Sequence, residues 1–479
     1  MKVKFPRDFV WGTAISAFQT EMGSSEESIF RGTDWFQWTH SDQIRKEGLV
    51  SADRPEHGDG FWDLYKEDML NAASLGTNSI RISIEWARIF PLTTEQVECI
   101  VTRNQAGGIV GVVMMEKGMS EIEKLANQVA VKHYLEMMDH AKRVGLSVFL
   151  TLYHWPLPLW LHDPVEVHNS NAESGKKGWL DEQTIIEFGK FAQFAAKTFG
   201  KAVDIWETIN EPEVIAINGY YSAPSGRFPP ALDNPALVFE VERNLAYAHT
   251  VAYKNIKIAC PSSPVGIGCA PPCFSPASDN VYDSNAAEYA RYLNNEWFLN
   301  AALSGLLDQD LDEVADQRID GMSGSDFIGI DYYQRVRVSS KSEQNHGKNL
   351  NFDILPCIDC TDFQWDIFPE GISQVVRWIF HKYRIPIYIL ENGIADSSDF
   401  KRSRFIQEHL FWLGKTIQDE EIPVKGYYHW SLVDNFEWAK GFSMRFGLFE
   451  VDYSTRERKK RQSATIFEGI CRSGEVEVS

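Results

Sequence analysis

The sequence predicts a (β/α)8 TIM barrel built as a single domain over residues 1–479, with long insertions in the loops that follow its strands. Three observations carry this. Short apolar runs recur at 9–15, 79–84, 147–152, 203–208, 264–269, 326–330, 386–390 and 424–429, and most are followed by a stretch of helical periodicity. Most of them end in carboxylates, amides or aromatics, the pattern of strands whose C-terminal ends converge on one pocket. The first run lacks the glycine fingerprint of a dinucleotide site and the chain has no P-loop, which sets aside an open doubly wound sheet.

Taken in order, the first run leads to Gln19 and Glu21, and the second contains Arg81 and leads to Glu85 and Trp86. An insertion at 92–119 holds Ala106, Gly107 and Gly108 before an apolar run from Ile109, which predicts a hairpin. Ser120 with Glu123 forms a capping box that is expected to open a helix with Ile122, Leu125, Leu135, Met138 and Ala141 on its apolar face. The third run ends at His154 and Trp155, and 165–178 reads as a loop. Asp181 is placed to cap a helix through Phe191, Phe194 and Phe199, with Gly200 as its stop. The fourth run ends in Asn210, Glu211 and Pro212, where Pro212 fixes the exit. A helix over 285–303 is expected before Gly305, and the sixth run leads to Asp331, Tyr332 and Tyr333. Residues 339–361 read as a loop. Four apolar residues from Ile387 end at Glu391, which Asn392 and Gly393 turn away, and the last run leads through Trp430 to Asp434, Asn435, Glu437 and Trp438.

Composition narrows the classes of function. With 47 basic against 67 acidic residues the net charge is −20, which argues against nucleic acid or an anionic membrane as a partner. No apolar run reaches the ~18 to 20 residues of a membrane span, and the N-terminal residues show no signal sequence, so a cytoplasmic protein is expected. The basic run 456–461 is expected to be solvated. Seven cysteines do not suggest a secreted disulfide framework. Cys357 and Cys360 have the spacing of half a zinc site, with Cys269 and Cys273 as an imitation of the other half. The irregular spacings and the lack of a histidine pair lead to the expectation that these cysteines hold neither a metal nor a disulfide.

The strand ends then define a chemistry. Aromatic faces stack on the C–H faces of sugar rings while amides and carboxylates bind hydroxyls, and 15 tryptophans supply that surface. Two strand-end glutamates, Glu211 and Glu391, fit glycosidic bond cleavage by a carboxyl pair. A metal-dependent barrel hydrolase competes poorly, because there is no H-E-x-x-H motif and His154 has no second histidine nearby in sequence.

Five stretches in chain order make the resemblance specific: Ser16-Ala17-Phe18-Gln19-Thr20-Glu21, Thr151-Leu152-Tyr153-His154-Trp155, Thr208-Ile209-Asn210-Glu211-Pro212, Ile389-Leu390-Glu391-Asn392-Gly393, and Trp430 through Trp438. Together they resemble family 1 of the glycoside hydrolases nearly end to end, and residues 155–164 with the insertion after Pro91 resemble its thermophilic archaeal β-glycosidase branch. The resemblance implies a retaining exo-β-glycosidase acting on β-linked glucosides, galactosides or short oligosaccharides through a covalent glycosyl-enzyme, without metal or cofactor. Glu391 would be the nucleophile and Glu211 the acid/base, with Arg81 and Tyr333 stabilising the Glu391 charge. Substrate contacts would fall to Gln19, His154, Asn210, Glu437 and Trp438, with Trp430 beneath the sugar and Trp365 as the leaving-group platform. A homodimer or homotetramer and thermal stability are implied by the same resemblance. Asp331 stands where the family usually has Asn, and Leu390 where Thr is commoner. A β-mannosidase is the near alternative. A 6-phospho-β-glycosidase is weaker because Glu437 would repel the phosphate, and a catalytically silent sugar-binding barrel is disfavoured by the presence of both glutamates.

Overall fold

A computed structural model describes residues 1–221, 227–322, 324–341 and 352–478. Strands β1 (Val10–Ala14), β2 (Ser79–Ser83), β3 (Ser147–Tyr153), β4 (Ile205–Ile209), β5 (Val265–Cys269), β6 (Phe327–Asp331), β7 (Ile387–Asn392) and β8 (Val424–Trp430) close into one parallel barrel in sequence order. Each expected run supplies one strand. Both faces of these strands are covered, and for that reason they read as apolar runs rather than as alternating ones.

Aromatic side chains fill the barrel interior below the pocket. Phe149 meets Tyr428 at 5.3 Å and Phe327 meets Tyr388 at 5.0 Å between ring centroids, edge to face. Gly12 leaves the room these rings need, since a Cβ there would lie 2.2 Å from Tyr428. Outside the barrel, helix Glu182–Phe199 packs along helix Pro235–Ala259, and Trp86 stacks on Phe191 at 5.1 Å.

Several local expectations are corrected. Ser120 lies inside a helix, Glu116–Leu125, and the chain breaks at Ala126 so that Asn127 caps a second helix, Gln128–Arg143, by accepting from Val129 and Ala130 N–H. Asn127 wins because its short amide satisfies two otherwise orphaned donors. Asp181 holds the N-cap position of Glu182–Phe199 and Gly200 its C-terminal one, as expected, but the Asp181 carboxylate makes no capping hydrogen bond and accepts instead from the Lys177 N–H. The helix expected at 285–303 is Val281–Arg291, one π-turn at Tyr292–Glu296, and Trp297–Ser304 before Gly305 at φ 65°. Pro164–Asn169 is helical, with Asp163 as its cap, within the expected loop 165–178. The hairpin at 92–119 forms from Ile100–Arg103 and Ile109–Val113. Of the expected loop 339–361, Arg335–Ser340 pairs with Phe352–Leu355 as a strand, and residues 342–351 lie outside the described residues.

Two further expectations fail, the first only in part since Lys459 and Lys460 are exposed, for reasons of charge and of local chemistry. Arg458 and Arg461, inside the basic run, are buried on acidic partners: Arg458 binds Asp68 through Nε and Nη2 at 2.8 Å each, and Arg461 binds Asp434 at 2.7 and 2.9 Å. Cys357 and Cys360 form a disulfide, while Cys269 and Cys273 are buried free thiols on other strands. Asp366 orders the intervening turn by accepting from the Ile358 and Asp359 N–H groups, which brings the two sulfurs together. Among the described residues no helix is long and apolar enough to cross a membrane.

Candidate active site

The C-terminal strand ends enclose a cavity of about 250 Å³. Gln19, His154, Glu211, Tyr333, Trp365, Glu391, Trp430, Glu437 and Trp438 line it. Arg81 and Asn210 do not; they are fully buried and hold the lining from behind. Every residue to which the resemblance gives a catalytic or substrate role is therefore gathered at one mouth of the barrel.

Arg81 organises the centre. Its Nη1 donates to Glu391 Oε1 at 2.5 Å, its Nε and Nη2 to Glu207 Oε2 at 3.0 and 2.8 Å, and Nη2 also to Asn210 Oδ1 at 2.5 Å. The Tyr333 hydroxyl donates to the other Glu391 oxygen. Burial pushes the Glu391 carboxyl up, and the Arg81 charge and the Tyr333 and Arg81 hydrogen bonds oppose it. Glu211 sits just past β4, at the N-terminal cap of helix Pro212–Tyr220, in the left-handed region at φ 45°. Burial, and then the Glu391 charge, hold its carboxyl well above the usual range. One oxygen each from Glu211, Asp331 and Glu391 lies within 4.8 Å of the others.

The rest of the cavity is amide and ring. Gln19 donates to Asn435 Oδ1 at 3.1 Å and to Glu437 Oε2 at 3.2 Å, and Ser16 donates to Gln19 Oε1 at 2.7 Å, which fixes the amide's orientation. Glu437 is pushed up to about 8 by burial and then by the Glu391 charge, against the Gln19 hydrogen bond. The His154 ring lies nearly parallel to those of Trp430 and Trp438, and burial followed by the Arg81 charge keeps it neutral. Trp365 stacks on Phe363 at 4.2 Å and leans on Tyr333 at 5.2 Å. Trp155, Glu211 and Trp438 all hold positive φ, each a conformation that costs about 1–3 kcal/mol and that persists where the surroundings over-determine it.

Two carboxyls escaped the sequence reading. Glu207 alternates with Ile205 and Ile209 along β4, so it points with them, and it accepts from Arg81 and from Thr151 Oγ1 at 2.5 Å. An acid at alternate spacing inside an apolar strand was the available signal. Gly268 makes room for it, since a Cβ there would meet Glu207 Oε1 at 2.1 Å. Glu213, on the first turn after Pro212, lines the cavity beside Glu211 and is pushed up to about 7 by burial, against hydrogen bonds from the Ala270 N–H and Asn295. Its sequence neighbourhood looked like an ordinary helix start.

A parallel barrel that sets two buried glutamates among sugar-sized aromatic walls is that of a glycoside-cleaving enzyme. The chain belongs to glycosyl hydrolase family 1, whose family model matches residues 1–99 and 117–476 and leaves out the hairpin at 100–116. It is an O-glycosyl hydrolase, and the retaining double-displacement reaction is general for the family. A β-galactosidase of Saccharolobus solfataricus is 37% identical over 98% of this chain and 96% of its own. The β-glycosidase from the hyperthermophile Thermosphaera aggregans superposes with a TM-score of 0.91 at 34% identity, covering 98% of this chain and 97% of that one. A β-glucosidase mutant derived from a hyperthermophilic tetrameric structure gives 0.88 at 36% identity, with 99% and 97% covered.

Proposed function

We propose that the protein is a β-glucosidase with β-galactosidase activity, working on terminal sugars with Glu391 as nucleophile and Glu211 as acid/base. The observation that carries the assignment is the asymmetry between the two carboxyls. Glu391 accepts from a guanidinium and a phenol, which favours the ionised form that attacks the anomeric carbon. Glu211 faces the Glu391 charge, which favours the protonated form that hands a proton to the leaving oxygen. Once Glu391 is esterified its charge is gone, and Glu211 can take a proton from water. Asn210, turned by Arg81 and 3.3 Å from His154 Nε2, orients the His154 ring from behind the cavity wall, and Gln19 with Glu437 on the lining are poised for sugar hydroxyls.

The relatives named β-galactosidase and β-glucosidase support the choice of sugars. A cytoplasmic single-domain enzyme, assembling as a homodimer or homotetramer, completes this reading; the tetrameric origin of one structural relative supports the assembly.

Hydrolysis of p-nitrophenyl β-glucoside, β-galactoside, β-mannoside and β-glucoside 6-phosphate tests it, with wild type and with Glu391→Gly in azide. Wild type is expected to be fastest on the glucoside or galactoside, and the variant to be silent until azide returns an α-glycosyl azide. A variant that keeps wild-type turnover, or a rescue product of β configuration, overturns the assignment.

A further inference from the structure

Asp331 closes β6 and stands opposite Glu391 in the β6–β7 ladder. Its side chain lines the cavity, it is 1% exposed, and neither carboxylate oxygen has a hydrogen-bond partner among the described residues. A buried carboxylate left bare in this way is costly, so something must neutralise it. The groups that face it are Glu391 on β7, Glu207 and Glu211 from β4 and its end, the Cys269 thiol on β5, the Tyr333 phenol, and Arg81 from β2. Arg81 is the one cation in that set, and its guanidinium is committed to Glu207, Asn210 and Glu391.

We propose that Asp331 and Glu211 hold one proton between them, Asp331 being the positioning residue that keeps that proton beside the scissile bond. The proposal rests on Glu211 being the acid/base. A hard divalent ion is the other way to neutralise three carboxylates, but here both Glu391 oxygens already accept, one from Arg81 at 2.5 Å. An ion on Glu391 would sit against a guanidinium, whereas a proton needs only the two carboxyls that have no such donor. One oxygen of Asp331 lies within 4.8 Å of one of Glu211, and beyond burial and the Glu391 charge the Glu211 charge itself raises Asp331, so the ionisation of one opposes that of the other and the two titrate as a pair.

The reaction then keeps a constant charge. Before attack, ionised Glu391 and the singly protonated pair carry two negative charges. As Glu391 bonds to the anomeric carbon the glycosidic C–O bond breaks and the shared proton leaves with that oxygen. Glu391 is then a neutral ester and the pair is doubly ionised, so the total is again two. Water restores the first state: its proton goes to Glu211, its oxygen to the anomeric carbon, and the Glu391 ester bond breaks.

The test is the pH profile of kcat/KM on p-nitrophenyl β-glucoside for wild type, Asp331→Asn, Asp331→Ser and Glu211→Ala. An ionised neighbour raises the Glu211 pKa, so its removal lowers it and the alkaline limb moves down, by about one pH unit or more for a like charge at this range. Both Asp331 variants are expected to show that shift, and the second serves if the first does not fold. An alkaline limb unmoved in the folded variants overturns the proposal. So does Mn²⁺ inhibition of wild type that is abolished in Asp331→Asn while the limb stays in place, because a metal ion would then be the occupant. Glu211→Ala separates the two readings: it is expected to lose the alkaline limb and to regain turnover with azide, and if it keeps that limb the assignment of Glu211 fails instead.

Discussion

Arg81 Nη1 lies 2.5 Å from Glu391 Oε1 with both side chains almost fully buried, and the same guanidinium grips Glu207 at 2.8 Å. One cation thus orients Glu391 and compensates the acid beneath it. Lysine, a point charge with no planar fork, cannot do both. Arg81→Lys is expected to lower kcat/KM by about 100-fold or more, in line with misplacing a reacting group. The sign of the pH effect follows from the role proposed for Glu391, which requires it ionised: weaker stabilisation of its charge raises its pKa, so the acid limb moves to higher pH. Steady-state profiles check both, and an acid limb that does not move refutes the coupling.

Glu437 offers a stability test. Its folded value of about 8 lies above the ordinary carboxyl value of 4.5, so between these values the folded state binds a proton that the unfolded state releases. Stability therefore falls as pH rises through that window, and at pH 7 the group costs roughly 3 kcal/mol before any relaxation. Glu437→Gln keeps the shape and cannot ionise. It is expected to raise the melting temperature at pH 7 by a few °C, to flatten the pH dependence between about 5 and 8, and to weaken sugar binding. Calorimetry across that range is the check; a variant no more stable than wild type at pH 7 contradicts the account.

The barrel was legible because each of its strands is buried on both faces and so writes an apolar run that ends at a polar group, as at Ile387–Asn392. The site was legible for the same reason: Glu211 and Glu391 break apolar runs at the place where strands end. What escaped depended on partners distant in sequence. Glu207 is tolerable inside β4 only because Arg81 reaches it from β2, and Arg458 and Arg461 are buried only because Asp68 and Asp434 wait for them. The break at Ala126–Asn127 was hidden by Ser120 and Glu123, whose capping pattern competes with a better cap seven residues on.

Trp365 is half-buried, stacked on Phe363, and carried by the turn that Asp366 ties to the Cys357–Cys360 segment. Its ring lies at the cavity wall beside Tyr333. Trp365→Ala is expected to raise KM for aryl glycosides by about tenfold, the loss of one aromatic contact, with a smaller effect on azide-rescued turnover of Glu391→Gly. Equal losses in KM for methyl and aryl glycosides would show that the ring does not meet the leaving group.

Asp434 is fully buried and accepts from Arg461 Nη1 and Nη2, from Arg445 Nη1 at 3.0 Å, and from the Gly447 N–H at 2.9 Å. It follows Val433, which bridges to Phe449, so it pins the segment after β8 that carries Glu437 and Trp438 to the C-terminal strand pair Phe449–Val451 and Arg458–Lys460. Removing it leaves Arg461 buried without its partner, which costs about 3–5 kcal/mol rather than the ~1 kcal/mol of a surface pair. Asp434→Ala is expected to lower the melting temperature by several °C and to raise KM, because Glu437 loses its support, while an exposed pair such as Lys132 with Glu136 can be removed with almost no change. Replacing Asp434 and Arg461 together with Leu and Met is expected to recover much of the lost stability and none of the KM. Recovery of KM in the double variant would mean that Asp434 acts on the fold alone and does not position the sugar-binding end of the cavity.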